Sequence, residues 1–266
     1  MAWLSRRSFL GAGVAAALLP ARLLAAAAPQ AFQVQTRYYH EIDYATFKAG
    51  LLRLLDTGWQ PLSIETIVGA LNGAVTIPTG LKSFHVTWDD SRLSQYTDGW
   101  RAISEIQQER GLFIPVTAFM LTMFDHLPLA MNQVPPATPC YTEQGGRASH
   151  HFFTKAQAVE LIANGIHAGS HTVDHADLPR LSPDALQGQL ITAEQRIQAL
   201  WDEAGVKRPV KVFAYPYGDF NPSVVSAVQG LGYDAAFSTR PVALYQAADR
   251  FVLGRFGSAE SKSGVY

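Results

Sequence analysis

The chain has 266 residues, of which 48% are hydrophobic and 16% are charged, and its formal net charge is −1. This length is enough for one large α/β domain. The balance of charge argues against nucleic acid as a partner, because the phosphate backbone calls for a basic surface. Cys140 is the single cysteine, which excludes an intramolecular disulfide.

The N-terminal 28 residues are predicted to be an export signal and not part of the fold. A twin-arginine pattern, Arg6-Arg7, is followed by an apolar, alanine-rich run over 11–19 and then by small residues that offer cleavage sites. Pro20 and Arg22 end that run short of the roughly 20 residues needed to span a membrane. We therefore expect cleavage near Ala28, a periplasmic or secreted protein, and no stable membrane span after removal of the signal.

The first half of the remaining chain alternates apolar strands with amphipathic helices. Asp43 is a candidate helix cap, and Gly58 ends the helix that it begins. Adjacent carboxylates, Asp89 and Asp90, end an apolar, β-branched run that predicts a buried strand. The elements predicted in this half are a strand over 33–42, a helix over 43–55, a helix over 64–71, the strand ending at Asp89-Asp90, a helix over 99–109 and a strand over 113–121.

The second half begins with an irregular, proline-rich stretch over 122–151, which predicts a functional rim because regular elements resume directly after it. Thr154 and Gln157 form a capping-box pattern at the start of the next helix. The further predicted elements are a short strand over 166–170, a long helix from Ser182-Pro183 to about Glu203, a strand over 210–215, a helix from Asn221-Pro222 to about Leu231, and short strands over 234–237 and 251–256.

This alternation predicts a single α/β domain over 29–266, with net charge −4. The candidate chemistry falls at the carboxyl ends of strands, at Asp89-Asp90, His171 and Tyr217. That placement favours a barrel whose site lies on its top face. An open doubly wound sheet is the alternative, although no Gly-rich phosphate fingerprint follows the first strand.

A metal site is the strongest chemical prediction. His171 and His175 are four residues apart and are expected to project from the same side of a helical turn. Burying two adjacent carboxylates is costly unless a cation or hydrogen bonds compensate them. Two histidines and one carboxylate make an open metal site, and the second carboxylate is then free to act as a base. Asp174 and Asp177 are the rival carboxylate ligands.

Three motifs in order give this chain a family resemblance: Thr87-Trp88-Asp89-Asp90, His171-Thr172-Val173-Asp174-His175 and Tyr215-Pro216-Tyr217-Gly218. They resemble the polysaccharide deacetylases of the NodB-homology type. The resemblance implies a distorted (β/α)7 barrel and metal-dependent hydrolysis of the amide of N-acetyl sugars. Tyr39-His40 and Leu253-Gly254-Arg255 look more like the branch that acts on poly-N-acetylglucosamine.

The resemblance also implies roles for individual residues. Asp90, His171 and His175 would bind one divalent metal; zinc is expected, and cobalt, nickel or iron would suit the same ligands. Asp89 would be the general base. The backbone N–H of Tyr217 would help to bind the oxyanion.

The chain departs from the family pattern at two positions that matter for the chemistry. Ala214 stands where many members have an arginine, and Arg255 stands where many have a histidine that acts as general acid. Arg255 is excluded as an acid, because a guanidinium keeps its proton near neutral pH. Our hypothesis is that His40 protonates the leaving amine while Arg255 orients Asp89.

The expected substrate is a β-linked N-acetylglucosamine polymer. Peptidoglycan, chitooligosaccharide or an O-acetylated polymer are alternatives within the same chemistry. A polysaccharide-binding or assembly protein with little turnover is the alternative outside it. The sequence does not indicate which protein partners the chain has. Five aromatic residues are candidates either to stack on sugar rings or to pack the loops: Tyr141, Phe152, Phe153, Tyr215 and Phe220.

Overall fold

A computed structural model describes residues 30–123 and 152–257. The predicted export signal lies outside the described residues, as do most of the predicted rim, Cys140 and Tyr141. No helix in these two ranges has both the length and the hydropathy of a membrane span.

The elements alternate along the chain as the sequence predicts. In chain order they are β1 (Phe32–Gln33), β2 (Gln35–Tyr39), α1 (Tyr44–Asp56), β3 (Gln60–Pro61), α2 (Ile64–Leu71), β4 (Ser83–Asp89), a π-helical turn (Gln95–Gly99), α3 (Trp100–Arg110), β5 (Val116–Met120), α4 (Lys155–Ala163), β6 (His167–Ser170), a 3-10 turn (Leu178–Arg180), α5 (Pro183–Glu203), β7 (Val212–Ala214), a 3-10 turn (Pro216–Gly218), α6 (Pro222–Gly230), β8 (Ala235–Phe237), β9 (Leu244–Tyr245), a 3-10 turn (Ala247–Asp249) and β10 (Phe256–Gly257).

Seven strands form a curled parallel sheet in the order β10-β2-β4-β5-β6-β7-β8. A parallel bridge between Phe237 of β8 and Leu253, just before β10, brings the two ends of the sheet together. This closure confirms the distorted (β/α)7 barrel and contradicts the open doubly wound sheet. β3 pairs with β4, and β1 pairs with β9 outside the barrel.

One hydrophobic cluster joins the inside of the barrel to α2. Phe119 of β5 and Phe237 of β8 pack with their ring centroids 5.4 Å apart, and Ile67 of α2 is fully buried in the same cluster. Gly169 of β6 makes this packing possible, because a Cβ there would lie only 2.7 Å from the Phe119 ring. The inner cluster therefore fixes β5, β6 and β8 relative to one another.

Helix ends follow the predicted caps closely. The Asp43 carboxylate accepts the Thr46 N–H at the start of α1, and Thr154 with Gln157 forms the predicted capping box at α4.

Strand ends were predicted less well. The predicted strand over 33–42 is interrupted at Val34, whose N–H donates to the Ala243 carbonyl, and it ends before His40. β3 and β9 were not predicted, because two residues are too few for a hydrophobic period.

His85 is a buried structural histidine of β4. Its Nδ1–H donates to the Leu62 carbonyl at 2.8 Å, so its Nε2 accepts from the Thr117 hydroxyl at 3.0 Å. Burial lowers the pKa of His85 to about 4. The unfolded chain therefore takes up a proton on His85 at a higher pH than the folded protein does.

We predict that the free energy of unfolding falls as the pH drops from 6.5 towards 4. At about 1.4 kcal/mol per pKa unit, the part due to His85 is about 3 kcal/mol. Urea unfolding at several pH values, compared between the wild type and His85→Gln, isolates that part, because the glutamine does not titrate. Equal pH slopes for the two proteins would contradict the prediction.

Candidate metal centre and active site

The two adjacent carboxylates lie where β4 ends and the backbone turns. Asp89 is the last residue of β4, and Asp90 and Ser91 both have positive φ angles, 73° and 56°. Positive φ is unfavourable for residues with a Cβ. The Leu121 N–H donates to the Ser91 hydroxyl at 3.0 Å and thereby helps to hold the turn. This conformation brings both Asp89 and Asp90 to the same buried end of the sheet.

The two histidines come from a loop and not from a helical turn, so that part of the sequence prediction was wrong. His171 directly follows β6, and the loop up to His175 contains two positive φ angles, 72° at Thr172 and 67° at His175. The Thr172 hydroxyl accepts the His175 N–H at 3.0 Å. Such side-chain bonds to the backbone compete with helix formation, which explains the outcome.

Asp90, His171 and His175 converge on one point. The Oδ1 atom of Asp90 lies 3.5 Å from the Nε2 atom of His171 and 3.5 Å from that of His175. These three residues form the group among the described residues whose ligand atoms all lie within 4.8 Å of one another. Two ligands of one tetrahedral zinc, each about 2.0–2.1 Å from it, lie about 3.3 Å apart. The spacing therefore fits a single small divalent ion.

The hydrogen bonds around the site leave Oδ1 of Asp90 and Nε2 of His171 available to bind a cation. The His171 Nδ1–H donates to the Ala214 carbonyl at 2.8 Å, which fixes the tautomer with a lone pair on Nε2. Within the described ranges, the buried Oδ1 of Asp90 and the buried Nε2 of His171 have no hydrogen-bond partner. Buried polar atoms rarely stay unsatisfied, so this donor set suits a bound cation.

The rival ligands, Asp174 and Asp177, have other partners. Asp174 accepts a hydrogen bond from the Gln189 amide at 2.8 Å, and Asp177 pairs with Arg180 at 3.0 Å. Neither belongs to the group with metal-ligand spacing found in the described chain.

Asp89 is held by Arg255 in a bidentate ion pair. The Nη1 and Nη2 groups of Arg255 donate to the two Asp89 oxygens at 2.7 and 2.9 Å. Burial alone would raise the pKa of Asp89, but the adjacent guanidinium lowers it below its usual range. The side chain is therefore a carboxylate at neutral pH. The geometry matches the hypothesis that Arg255 orients Asp89.

Arg255 is completely buried, and each nitrogen of its guanidinium donates at least one hydrogen bond. Its Nε–H donates to the Ser238 carbonyl, and its Nη1 also donates to the Thr87 hydroxyl, each at 3.1 Å. The ring centroids of Tyr38 and Phe119 lie 5.0 and 5.3 Å from the guanidinium carbon. A planar cation with these partners has one orientation.

Arg92 is a site residue that the sequence analysis missed. It is buried, and its Nη2 donates to Oδ2 of Asp90 at 3.0 Å. The pair leaves Oδ1 of Asp90 to face the two histidines. Burial would raise the pKa of Asp90, but His175, His40 and Arg92 together lower it well below its usual range. An arginine two residues after a carboxylate carries no sequence signal of burial, so only the fold identifies this contact.

His40 directly follows β2 and lies beside Asp90. Its Nε2 is 3.8 Å from Oδ2 of Asp90, and its ring meets Tyr38 edge-on at 5.6 Å. Burial lowers the pKa of His40 below its usual value, although Asp90 and Asp89 raise it. The structure thus brings His40 to the site, with the neutral ring favoured near pH 7.

Tyr217 reaches the site through a strained turn. Its φ is 60°, and its ring lies edge-on to His175 with the centroids 4.4 Å apart. Gly218, at φ 74°, cannot carry a Cβ, since that atom would lie 2.1 Å from the Thr239 hydroxyl oxygen. The close approach of the Gly218 and Thr239 segments fixes the Tyr217 backbone beside His175.

Most of the candidate sugar-stacking residues are core residues. Phe152, Phe153 and Tyr215 are all at most 1% exposed, so the described structure favours packing for these three. Phe220 is only half-buried, and the guanidinium of Arg240 lies 4.7 Å from its ring centroid.

Comparisons with known proteins identify relatives of this chain. The sequence model of the family described as "Polysaccharide deacetylase" matches residues 76–236. The chain is 25% identical over 219 residues to YxkH of Bacillus subtilis (strain 168), a protein named for the same family, and this match covers 82% of the chain and 66% of YxkH. The chain therefore spans slightly less than two thirds of that relative.

Two solved structures have similar folds. The Streptococcus pyogenes deacetylase PplD in complex with acetate has a TM-score of 0.63 at 20% identity, covering 86% of this chain and 93% of that one. IcaB from Ammonifex degensii has a TM-score of 0.62 at 20% identity, covering 85% and 92%. At this identity, the likeness establishes the fold, and it supports the single-domain barrel.

We predict that Arg255→Met destabilises the protein by about 3–5 kcal/mol at pH 7, because it leaves a buried carboxylate unpaired. Urea unfolding measures the loss. Arg101→Met is the control: Arg101 pairs with Glu105 at the surface, so its replacement should leave the free energy of unfolding almost unchanged.

The loss should also depend on pH with a definite sign. A depressed folded-state pKa of Asp89 contributes stability above the unfolded value, about 3.9, and that contribution disappears as the pH falls through the folded value. The difference between wild type and Arg255→Met should therefore shrink in strong acid. A difference that is small at pH 7, or that grows in acid, would contradict the account of this pair.

Proposed function

The chain belongs to the polysaccharide deacetylase family, and from this we propose that it is a hydrolase of amide bonds that removes acetyl groups from a polysaccharide. The observation that carries the proposal is the buried group of Asp90, His171 and His175 directly beside the ionised Asp89. This is the arrangement that hydrolysis needs: a place for a cation and a carboxylate next to it.

We propose that Asp90, His171 and His175 hold one divalent metal. Zinc suits two imidazoles and a carboxylate, and cobalt, nickel or iron would fit the same donors. When bound, the ion would polarise the acetyl carbonyl and lower the pKa of water. Arg92 would keep Oδ2 of Asp90 occupied, so that Oδ1 is the ligand atom.

Asp89 is proposed as the general base, which takes a proton from the attacking water. Each of its oxygens accepts one hydrogen bond from Arg255, and a carboxylate oxygen has a second lone pair that can accept from water. Arg255 would hold the carboxylate plane fixed during the reaction. The two hydrogen bonds support the hypothesis that Arg255 orients Asp89.

His40 is proposed as the acid that protonates the leaving amine. Since its ring is favoured in the neutral form, it must gain the proton that it delivers during turnover. The proton that Asp89 removes from water balances the proton that the amine receives. Full retention of the acetate release rate in His40→Ala would eliminate this assignment.

The backbone N–H of Tyr217 is proposed as a donor to the oxyanion. Such a donor typically contributes about 3 kcal/mol to the lowering of a barrier. The contact of the Tyr217 ring with His175 supports this role, because it keeps the peptide beside the metal ligands.

The proposed substrate is a β-linked N-acetylglucosamine polymer, on the basis of Tyr39-His40 and Leu253-Gly254-Arg255. Peptidoglycan, chitooligosaccharide and O-acetylated polymers are the alternatives, and assay of each as a substrate separates them. A protein that binds such a polymer without turnover would retain sugar binding but release no acetate.

Export by the twin-arginine route is also a proposal. It rests on Arg6-Arg7 and the apolar run after them. Replacement of both arginines by lysine should leave the protein in the cytoplasmic fraction, and an unchanged distribution between cell fractions would contradict the proposal.

The deacetylase proposal predicts metal-dependent release of acetate from N-acetylglucosamine oligomers. Asp89→Asn should lower the rate by about 10²–10⁴-fold, the usual range for loss of a general base. The assay compares metal-free protein, protein loaded with zinc or cobalt, and Asp89→Asn loaded in the same way.

Asp174→Asn is the matched control, because Asp174 lies in the loop between the two histidines but bonds to Gln189. It should keep most of the activity. An absence of acetate release from N- and O-acetylated polymers by metal-loaded wild type would refute the catalytic proposal and support binding without turnover.

A further inference from the structure

His40 and Asp89 lie at the carboxyl ends of two adjacent parallel strands. β2 and β4 pair in register as far as Tyr39 opposite Trp88. His40 and Asp89 are the next residues after the last pair, so the strand ladder itself does not continue to hold the His40 segment against the end of β4. Some other contact must set the distance between the proposed acid and the proposed base.

Gln95 makes that contact. Its Nε2 donates to the His40 carbonyl at 2.9 Å and to the Asp89 carbonyl at 2.5 Å. The side chain is completely buried, although glutamine is usually a surface residue. A primary amide has two N–H donors, and Gln95 uses both on the two backbone segments that carry the acid and the base.

The preceding residue joins the same segments. The Ser94 hydroxyl accepts the Ile42 N–H at 3.0 Å and donates to the Glu41 carboxylate at 2.7 Å. Ser94 and Gln95 therefore connect the loop after β4 with three consecutive residues after β2. Glu41 also lies 3.8 Å from Arg92, which donates to the proposed metal ligand Asp90.

Packing supports the same arrangement. The π-helical turn that Gln95 begins ends at Gly99, and a Cβ on Gly99 would lie 2.8 Å from both Ile42 and Trp88. The absence of a side chain lets the turn approach the ends of β2 and β4 together. This close approach brings the Gln95 amide within reach of both carbonyls.

We propose that Gln95 is a positioning residue, which fixes His40 relative to Asp89 and thereby aligns the proton donor with the base. The proposal rests on the deacetylase function proposed above. Gln95 acts through the two backbone carbonyls, and its contacts predict an effect on the rate of the chemical step and not on metal binding.

The test is Gln95→Met, which keeps the length of the side chain and removes both donors. The turnover number for acetate release should fall by about 10–100-fold, as for a catalytic group displaced by about 1 Å. The KM and the zinc dissociation constant should stay within about twofold of the wild-type values. Ser94→Ala should also lower the turnover number, but by a smaller factor. It replaces Gln95→Met as the test if that variant does not fold.

Gln157→Leu is the control for a general loss of stability. It removes the capping-box bond to the Thr154 N–H in α4, which lies on a different helix. It should lower the melting temperature with a turnover number within about twofold of wild type. An equal fall in turnover for Gln157→Leu, or an unchanged turnover for Gln95→Met, would overturn the proposal.

A crystal structure of Gln95→Met distinguishes failure of this inference from failure of the deacetylase function. Because Asp90 directly follows Asp89 in the same turn, displacement of His40 should appear as a separation between Nε2 of His40 and Oδ2 of Asp90 that exceeds the 3.8 Å of the wild type. An unchanged separation would overturn the positioning role of Gln95 even if no substrate were found. If the wild type is inactive but His40 is displaced in the variant, the result counts against the deacetylase function alone.

Discussion

The ion pair between Arg255 and Asp89 is the interaction on which the site depends. Both groups are almost completely buried, and an unpaired charge in such a place is strongly destabilising. The fold offsets this cost with two direct hydrogen bonds, with Thr87 and Ser238 as further acceptors, and with the Tyr38 and Phe119 rings near the guanidinium. Because Arg255 lies between Leu253 and β10, the same pair joins the closing segment of the barrel to the end of β4.

Two neighbouring carboxylates acquire different chemistry from their surroundings. Asp89 has both oxygens on one guanidinium, whereas Asp90 has one oxygen on Arg92 and the other facing His171 and His175. Environment alone therefore separates a carboxylate suited to accept a proton from one suited to bind a cation. The positive φ angles at Asp90 and Ser91 produce this separation within a single turn of the chain.

Local patterns were enough to predict much of the fold. Asp43 and Ser182 cap helices that begin where the sequence places them, because a capping side chain and the start of a helix are the same local event. The loop of His171 escaped the prediction, since the Thr172 hydroxyl redirects the backbone. Arg92 and Gln95 could not be identified, because their burial follows from how the ends of β2 and β4 meet. Arg255 and Asp89 are 166 residues apart in the sequence. Their pairing was predicted from the family pattern and not from residue spacing.

The central claim is that Asp90, His171 and His175 form one metal site. The most direct measurement is X-ray absorption on zinc-reconstituted protein, with the zinc content determined per chain. The account predicts one zinc with two imidazole nitrogens and carboxylate oxygen at about 2.0–2.2 Å, and loss of stoichiometric zinc in His175→Ala. A wild type that takes up no stoichiometric zinc, cobalt, nickel or iron, or a His171→Ala, His175→Ala double variant that keeps the same zinc spectrum, would contradict it.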